Sequence, residues 1–487
     1  MKSLESLEPE NIWNYFDEIC KIPRRSTQEA KIVDYLINFG QKHNLETSSD
    51  EVGNVIIRKP ASKGFEKKKS VCLQSHVDMV AEKNSTSSHN FDTDAIQPFV
   101  TEGWVKAKET TLGADNGIGI ASQLALLTDK KIQHGPLECL FTVEEELGLK
   151  GAFHLKPNFI NSKILLNLDS EDEGELFIGC AGGVDTIANM QYKTKKVTGN
   201  CEAFKISVTG LTGGHSGDDI NKGRGNSIKI LNRFLWTVSR RMTIRLAAFE
   251  AGNLRNAIPR EANAVITVDR SNAQKLTNEF RQYEIAIKNE LLVTEPGLTL
   301  ELRLTEMPLM ILKRKFQRRL FNALYGCPHG VINMSRSIKD LVETSTNLAS
   351  VKFTNLYTAT IATSQRSSVD SEKQNIANTV RSIFELAKAN VDHSDGYPGW
   401  KPNTDSEILS LTKKEYIKLF GNEPKVRAIH AGLECGLFLE KYPWLDMISF
   451  GPTILGAHSP DERVEIESVK KYWNLLTSVL ENIPEVN

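Results

Sequence analysis

Three apolar segments of this chain are followed, within three residues, by residues that bind metals or move protons. Residues 71–73, 136–143 and 163–168 have the composition of short buried strands. The side chains that follow them are His76 and Asp78, then Glu144, Glu145 and Glu146, then Asp169. Ligands of open α/β sheets bind at the carboxyl ends of the strands, so we expect these side chains to share one edge of a sheet.

Two further candidates lie outside those segments. Asp115 stands in the glycine-rich segment 110–120, just before the apolar helix predicted at residues 121–127. An N-cap role in a glycine turn is the alternative for this aspartate. A phosphate-binding loop is disfavoured, because neither a G-x-G-x-x-G motif nor a Walker lysine is present. His458 lies in segment 451–462, which follows another predicted strand, residues 445–450.

Together these segments supply two imidazoles and three carboxylates as candidate metal ligands: His76, Asp115, Glu146, Asp169 and His458. This donor set suits Zn²⁺, Co²⁺ or Mn²⁺, and the lack of cysteine among the donors argues against a closed structural zinc site. Five ligands exceed the need of one catalytic ion. We therefore predict two divalent ions with one carboxylate between them, most simply Zn²⁺, and spare carboxylates for acid–base work.

The elements that must position these residues form an α/β pattern. Helical periodicity covers residues 10–45, with a break at Pro23, and further helices are predicted at 407–420 and 469–480. Amphipathic strands such as 204–210 and 264–268 mark a different region. We predict one α/β domain, residues 1–183 and 398–487, interrupted by an α+β insertion at 184–397 that contains two similar halves.

Composition and charge exclude several classes of protein. The chain has 487 residues, a length typical of about two to four domains. Lys+Arg number 60 against Asp+Glu 61, so no overall field favours nucleic acid or an anionic membrane. The seven cysteines are scattered, with no C-x-x-C pair, and no segment approaches the ~20 apolar residues of a membrane span. We expect a cytoplasmic protein.

Several motifs along the whole chain resemble those of the M20 metallopeptidases. They are S-H-V-D-M, T-L-G-A-D-N-G-I-G, E-E-x-G, N-x-D-S-E, G-G-H-S-G, N-A-I-P-R-E, H-A-G-L-E-C-G and G-P-T-x-x-G-x-H-S-P-D-E. Within that family the chain resembles the bacterial aminoacyl-histidine (Xaa-His, carnosinase-like) dipeptidases. The resemblance implies a zinc-peptidase fold, a mixed central sheet flanked by helices, with an inserted lid or dimerisation domain.

The resemblance also implies a role for each metal-site residue. His76 and Asp169 would be terminal ligands of one ion, Glu146 and His458 of the other, and Asp115 the bridge. Asp78 would orient His76. Counting back from Gly148 makes Glu146 the ligand and Glu145 the general base, and leaves Glu144 as an extra acidic neighbour.

Three residues of the insertion match family positions that act on the substrate. His215 would donate to the oxyanion, and Asn256 and Arg366 would bind the substrate carboxylate. Two of them have an alternative: His215 lies between glycines and could be a turn residue, and Arg366 could form a surface ion pair. The family expectation for assembly is a homodimer.

The predicted function is hydrolysis of dipeptides, preferentially Xaa-His. One alternative is a deacylase or tripeptidase on the same fold, because fold does not determine substrate. Another is a metal-free binding protein without activity, which the complete set of ligands and base argues against.

Overall fold

The computed structural model describes residues 4–84, 86–336, 338–354 and 357–486. The chain forms two compact units. The first unit comprises residues 1–180, 400–428 and 433–487, and the second comprises residues 181–399 and 429–432.

The α-helices of the described residues are, in chain order, α1 Glu10–Cys20, α2 Ala30–Lys42, α3 Ala114–Thr128, α4 Lys150–His154, α5 Ser227–Arg241, α6 Ala273–Glu290, α7 Arg314–Gly326, α8 Asp370–Leu386, α9 Glu407–Phe420, α10 Cys435–Lys441 and α11 Ile466–Asn482. Short 3₁₀ helices span Leu4–Ser6 and Arg270–Asn272.

The strands, on the same basis, are β1 Glu46–Ser49, β2 Val55–Lys59, β3 Val71–His76, β4 Pro98–Thr101, β5 Trp104–Ala107, β6 Leu137–Thr142, β7 Ile164–Asn167, β8 Glu175–Cys180, β9 Gly182–Gln191, β10 Thr194–Lys196, β11 Cys201–Thr209, β12 Ile244–Ala251, β13 Ala262–Asp269, β14 Thr299–Leu304, β15 Met310–Leu312, β16 Gly330–Met334, β17 Val342–Phe353, β18 Thr358–Ser367, β19 Asn390–His393, β20 Lys425–Ile429, β21 Asp446–Ser449, β22 Ile454–Leu455 and β23 Arg463–Glu465.

The first unit is built on an eight-stranded mixed sheet with the order β1-β2-β6-β3-β7-β21-β8-β20. Strand β3 pairs in parallel with β6 on one side and with β7 on the other. Every residue of these three strands is buried, as expected for strands covered on both faces. Their carboxyl ends therefore meet at one edge of the sheet. A four-stranded sheet, β22-β23-β5-β4, completes the strands of this unit.

Helix α3 is the central helix of the first unit. Nearly all of its side chains are buried, and its composition is apolar around the whole circumference, which is the pattern of a helix covered on every side. Asp115 and Asn116 lie within its bounds but have non-helical backbone angles. The regular helix therefore begins after Asn116, and Asp115 belongs to the loop that enters it.

The second unit contains a nine-stranded antiparallel sheet. Eight strands follow the order β14-β11-β13-β12-β17-β18-β9-β19, and β16 also pairs with β17. Apolar side chains of helices α5 to α8 join those of the sheet in one core, which includes Phe234, Phe249, Phe321 and Phe384. Strands β10 and β15 form a separate two-stranded ribbon.

The predicted fold class is confirmed: the elements form a mixed α/β structure with a central sheet flanked by helices. The strands predicted at 71–73, 136–143 and 163–168 correspond to β3, β6 and β7, and the helix predicted at 407–420 is α9. Among the described helices, none combines the length and the apolar composition that a bilayer span requires.

Candidate metal centre

His76 is the last residue of β3 and lies at the centre of the acidic edge of the sheet. Its Nε2 atom is 3.0 Å from Oδ1 of Asp115 and 3.3 Å from Oδ1 of Asp169. Its other ring nitrogen, Nδ1, is 3.3 Å from Oδ1 of Asp78. Nε2 thus lies beside two predicted ligands, and Nδ1 lies beside the residue predicted to orient the ring.

His458 approaches the same edge from the segment between β22 and β23. Its Nε2 atom is 3.0 Å from Oε2 of Glu146 and 3.3 Å from Oδ2 of Asp115. The two oxygens of Asp115 therefore face different histidines, Oδ1 towards His76 and Oδ2 towards His458. This is the position expected of a carboxylate between two ions.

The donor atoms form three overlapping groups in which all members lie within 4.8 Å of one another. The groups are His76, Asp115 and Asp169; His76, Glu145 and Glu146; and Asp115, Glu146 and His458. The structure thus brings together the five predicted ligands and the predicted base. The donors are imidazole and carboxylate, and Glu146 Oε1 is buried without a hydrogen-bond partner, so the residues fit divalent ions.

Mutual repulsion and burial shape the electrostatics of this cluster. Burial raises the pKa of Glu145 well above its usual value, and the charges of Asp169 and Glu146 add to this effect. Hydrogen bonds to Asp115 and Glu146 raise the pKa of His458 to about 11. Burial likewise raises the pKa of Glu171 to about 9. Carboxylates that repel one another in a buried site are those that a divalent cation stabilises.

Asp78 contacts more than His76. Its Oδ1 accepts a hydrogen bond from the backbone N–H of Glu145 at 3.0 Å, and its Oδ2 accepts from the N–H of Glu146 at 3.3 Å. The hydroxyl of Ser26 also donates to Oδ2, at 2.8 Å. Asp78 therefore holds both the imidazole and the backbone of the glutamate segment after β6.

Sequence reasoning missed two polar groups beside the predicted ligands. The side-chain amide of Asn116 donates to Oδ1 of Asp169 and, at 3.1 Å, to the carbonyl of Leu168. Glu434 is fully buried, and its Oε2 accepts from Gln74 Nε2 at 2.6 Å and from Thr142 Oγ1 at 2.7 Å. Asn116 lies in the motif T-L-G-A-D-N-G-I-G, and Glu434 lies in H-A-G-L-E-C-G. Their hydrogen-bond partners are far away in the sequence, so no local pattern predicts these contacts.

The three predicted substrate residues lie together in the second unit. Nη2 of Arg366 is 3.4 Å from Nε2 of His215, and Nη1 of Arg366 donates to the hydroxyl of Tyr397 at 2.9 Å. The carbonyl of Asn256 accepts from the backbone N–H of Ser216 at 2.8 Å, and the Asn256 side chain is exposed. Arg366 is buried, which disfavours the alternative of a surface ion pair.

Comparison with known proteins adds evidence that is independent of this geometry. The family model described as peptidase family M20/M25/M40 matches residues 72–482. The chain belongs to this family. The resemblance predicted from the motifs is therefore confirmed, and with it the classification of the chain as an M20 metallopeptidase, a hydrolase.

Two relatives match this M20 chain over its full length. It is 44% identical to the cytosol non-specific dipeptidase of Escherichia coli, over 99% of this chain and 100% of the relative. It is 42% identical to the aminoacylhistidine dipeptidase of Vibrio alginolyticus, whose crystal structure superposes with a TM-score of 0.91 and covers 100% of this chain and 99% of that one.

A more distant structure shares the fold alone. The tripeptidase of Staphylococcus aureus superposes with a TM-score of 0.57 at 15% identity, over 98% of this chain and 99% of that one. The same architecture thus carries a differently named activity, so the substrate must be decided from the site and by experiment.

Proposed function

We propose that this M20 metallo-dipeptidase hydrolyses dipeptides with a preference for Xaa-His, at a centre that holds two divalent metal ions. The observation that carries the proposal is the meeting of two histidines with the carboxylates of Asp115, Glu146 and Asp169 at one sheet edge. The relative from Vibrio alginolyticus, named an aminoacylhistidine dipeptidase, supports the preference for histidine. The name of the Escherichia coli relative supports a broader range of dipeptides and a cytosolic location.

The ligand set divides between two ions in this proposal. His76 and Asp169 would hold one ion, Glu146 and His458 would hold the other, and Asp115 would serve both. Such ions, most simply Zn²⁺ and otherwise Co²⁺ or Mn²⁺, supply Lewis acidity that activates water and polarises a carbonyl group.

Glu145 is the proposed general base. It takes a proton from the attacking water and then gives it to the leaving amine, so that the peptide bond is replaced by a carboxylate and a free amine. It is half-buried, and one of its carboxylate oxygens lies within 4.8 Å of donor atoms of His76 and Glu146. A raised pKa suits this shuttle, because the group must gain a proton as readily as it releases one.

In this proposal, residues of the second unit bind the carboxylate and the reacting carbonyl oxygen of a short substrate. Arg366 and Asn256 bind the substrate carboxylate, and His215 donates to the oxyanion that forms during attack. The contact of 3.4 Å between His215 and Arg366 supports a shared role, because a small substrate could meet both side chains at once.

Substrate assays test the proposal most directly. Ala-His, carnosine, Ala-Ala, a tripeptide and an N-acetyl amino acid should be compared by kcat/KM on the metal-loaded protein. We expect the two histidine dipeptides to be hydrolysed best, Ala-Ala more slowly, and the last two least. Turnover of the N-acetyl amino acid without turnover of the dipeptides would contradict the proposal and favour a deacylase.

The variant Glu145→Gln tests the base. The amide keeps the shape of the side chain but cannot take a proton, so kcat should fall by ~10² to 10⁴-fold while the bound metal per chain is unchanged. Glu144→Gln is the matched control, since Glu144 pairs with Lys150 instead and should be dispensable. Loss of activity in the Glu144 variant alone would identify Glu144, and not Glu145, as the general base.

A further inference from the structure

One buried carboxylate outside the predicted ligand set binds the loop that carries Asp115. Glu462 is only 2% exposed. Its Oε2 accepts from the backbone N–H of Leu112 at 2.7 Å and of Gly113 at 2.9 Å. Its Oε1 accepts from the N–H of Ala114 at 2.8 Å and of Asp115 at 3.3 Å. Four successive amides of the loop therefore point at one side chain.

A buried arginine binds the carbonyl groups of the same region. Arg24 is also 2% exposed. Its Nη2 atom donates to the carbonyl of Gly113, and its Nη1 atom donates to the carbonyls of Val77 at 3.0 Å and Asp78 at 2.9 Å. Arg24 thereby links the Asp115 loop to the segment that follows β3. Glu462 binds the amides of this loop, and Arg24 binds a carbonyl of it.

The arrangement matters because Asp115 lies outside the regular part of helix α3. Its backbone angles are not helical, so the regular hydrogen bonds of α3 do not define its direction. Hydrogen bonds from amides to a charged carboxylate are stronger than those between neutral groups. Four of them on one buried carboxylate hold the backbone of residues 112–115 in one conformation.

We propose that Glu462 is a positioning residue of the metal centre, which holds Asp115 where its two oxygens face His76 and His458. This inference rests on the proposed function, in which Asp115 binds both ions. Glu462 itself touches neither substrate nor ion in this role and acts through the backbone of the loop. Its loss should therefore weaken metal binding as well as lower stability.

The same unit offers a carboxylate that serves as a structural control. Glu138 is 5% exposed and accepts hydrogen bonds from the backbone N–H of Asn161 at 2.9 Å and of Ser162 at 2.8 Å. It also accepts from the Ser162 hydroxyl at 2.7 Å and from Arg58 at 2.9 Å. Its partners carry none of the predicted ligands. Glu138 thus resembles Glu462 in burial and in binding backbone amides but differs in which segment it holds.

The experiment compares wild type, Glu462→Gln and Glu138→Gln by thermal unfolding and by metal affinity. Affinity is measured by competition of the full-length apoprotein with a chromogenic zinc chelator. We expect both variants to unfold at lower temperature. In each variant the NH₂ group of glutamine replaces a carboxylate oxygen that accepts hydrogen bonds from backbone amides. Only Glu462→Gln should lose metal affinity, by ~10 to 100-fold.

Glu462→Asp extends the test if the glutamine variant does not fold. The shorter carboxylate keeps its charge and reaches fewer of the four amides, so metal affinity should lie between those of wild type and Glu462→Gln. Wild-type affinity in a folded Glu462 variant, or an equal loss in Glu138→Gln, would overturn the inference and leave the proposed function standing. A wild-type protein that binds none of Zn²⁺, Co²⁺ and Mn²⁺ would overturn both.

Discussion

Asp78 shows how one side chain supports two predicted functions. It faces Nδ1 of His76 on one side and accepts the backbone amides of Glu145 and Glu146 on the other. The carboxylate of Asp78 therefore contacts both the predicted metal ligand His76 and the backbone of the predicted base Glu145. A displacement of Asp78 would disturb the distance between them, which hydrolysis requires to be constant.

The variant Asp78→Asn tests this shared support. Its amide nitrogen must face at least one N–H donor, so we expect kcat/KM for Ala-His to fall by ~10 to 100-fold. Ser26→Ala removes the hydroxyl that donates to Asp78 but leaves both carboxylate oxygens in place, and it should cost less. Asp129→Asn is the control, because Asp129 also accepts two backbone amides, those of Lys131 and Ile132, away from the site. Equal losses in the Asp78 and Asp129 variants would argue against a specific role.

The residues that could be predicted from sequence are those whose signal is local. His76 and Asp78 are two positions apart in an extended segment, so their side chains share one side of the strand. The bonds from Glu462 to residues 112–115 join positions almost 350 apart along the chain. Neither hydrophobic periodicity nor motif spacing can reveal a contact between residues so far apart, and only the folded chain brings them together.

At the scale of elements, burial made the central strands predictable. Strands β3, β6 and β7 are buried throughout and most of their residues are apolar, as expected for strands covered on both faces. Their order in the sheet, with β3 between β6 and β7, has no such signature in the sequence. The start of α3 was predictable from its glycine-rich entry, but the non-helical angles of Asp115 and Asn116 were not.

Gly119 in helix α3 lies so close to neighbouring side chains that any larger residue would clash with them. A Cβ atom there would lie 1.9 Å from Oδ1 of Asn116 and 2.9 Å from Cβ of Ser75. Gly119→Ala should displace Asn116 from Asp169, so we expect a lower unfolding temperature and weaker metal binding. The gain of about 1 kcal/mol in helix propensity is too small to offset this clash.

Gly326→Ala is the matched control for that variant. Gly326 is the last residue of helix α7, and a Cβ atom there would meet only Cγ2 of Ile383, at 3.9 Å. We expect unchanged metal affinity and an unfolding temperature equal to or above that of wild type. A Gly119→Ala protein that behaves like this control would show that α3 can shift without cost.

At the scale of the molecule, the second unit contains a buried histidine that makes its stability depend on pH. His430 is 6% exposed, and its Nε2 atom is 2.7 Å from the hydroxyl of Ser345. Burial, and next the charge of Arg366, lower the pKa of His430 to about 3, while Asp218 opposes and His215 adds to the effect. The folded protein therefore keeps this ring neutral at pH values where the unfolded chain protonates it.

The sign of the pH dependence follows from that difference. Stability from neutral His430 is complete above the unfolded pKa of ~6.5 and is lost as the pH falls towards 3, by up to ~1.4 kcal/mol per pH unit. Between pH 7 and 5 the second unit should lose about 2 kcal/mol, measured by urea unfolding with hydrogen exchange of residues 344–351. His430→Gln should reduce this loss, whereas the exposed His154→Gln should not. An undiminished loss in His430→Gln would assign the effect to other groups.

The short segment 429–432 has a consequence for how the chain can be divided. Because it belongs to the second unit while its neighbours belong to the first, the chain passes between the units four times, after residues 180, 399, 428 and 432. A fragment of residues 181–399 would lack His430, and with it the partner of Ser345 and the carbonyl against which Gly217 packs. The second unit is thus not a cassette that can be excised or grafted as one piece, and a transplant between relatives must carry both stretches of sequence.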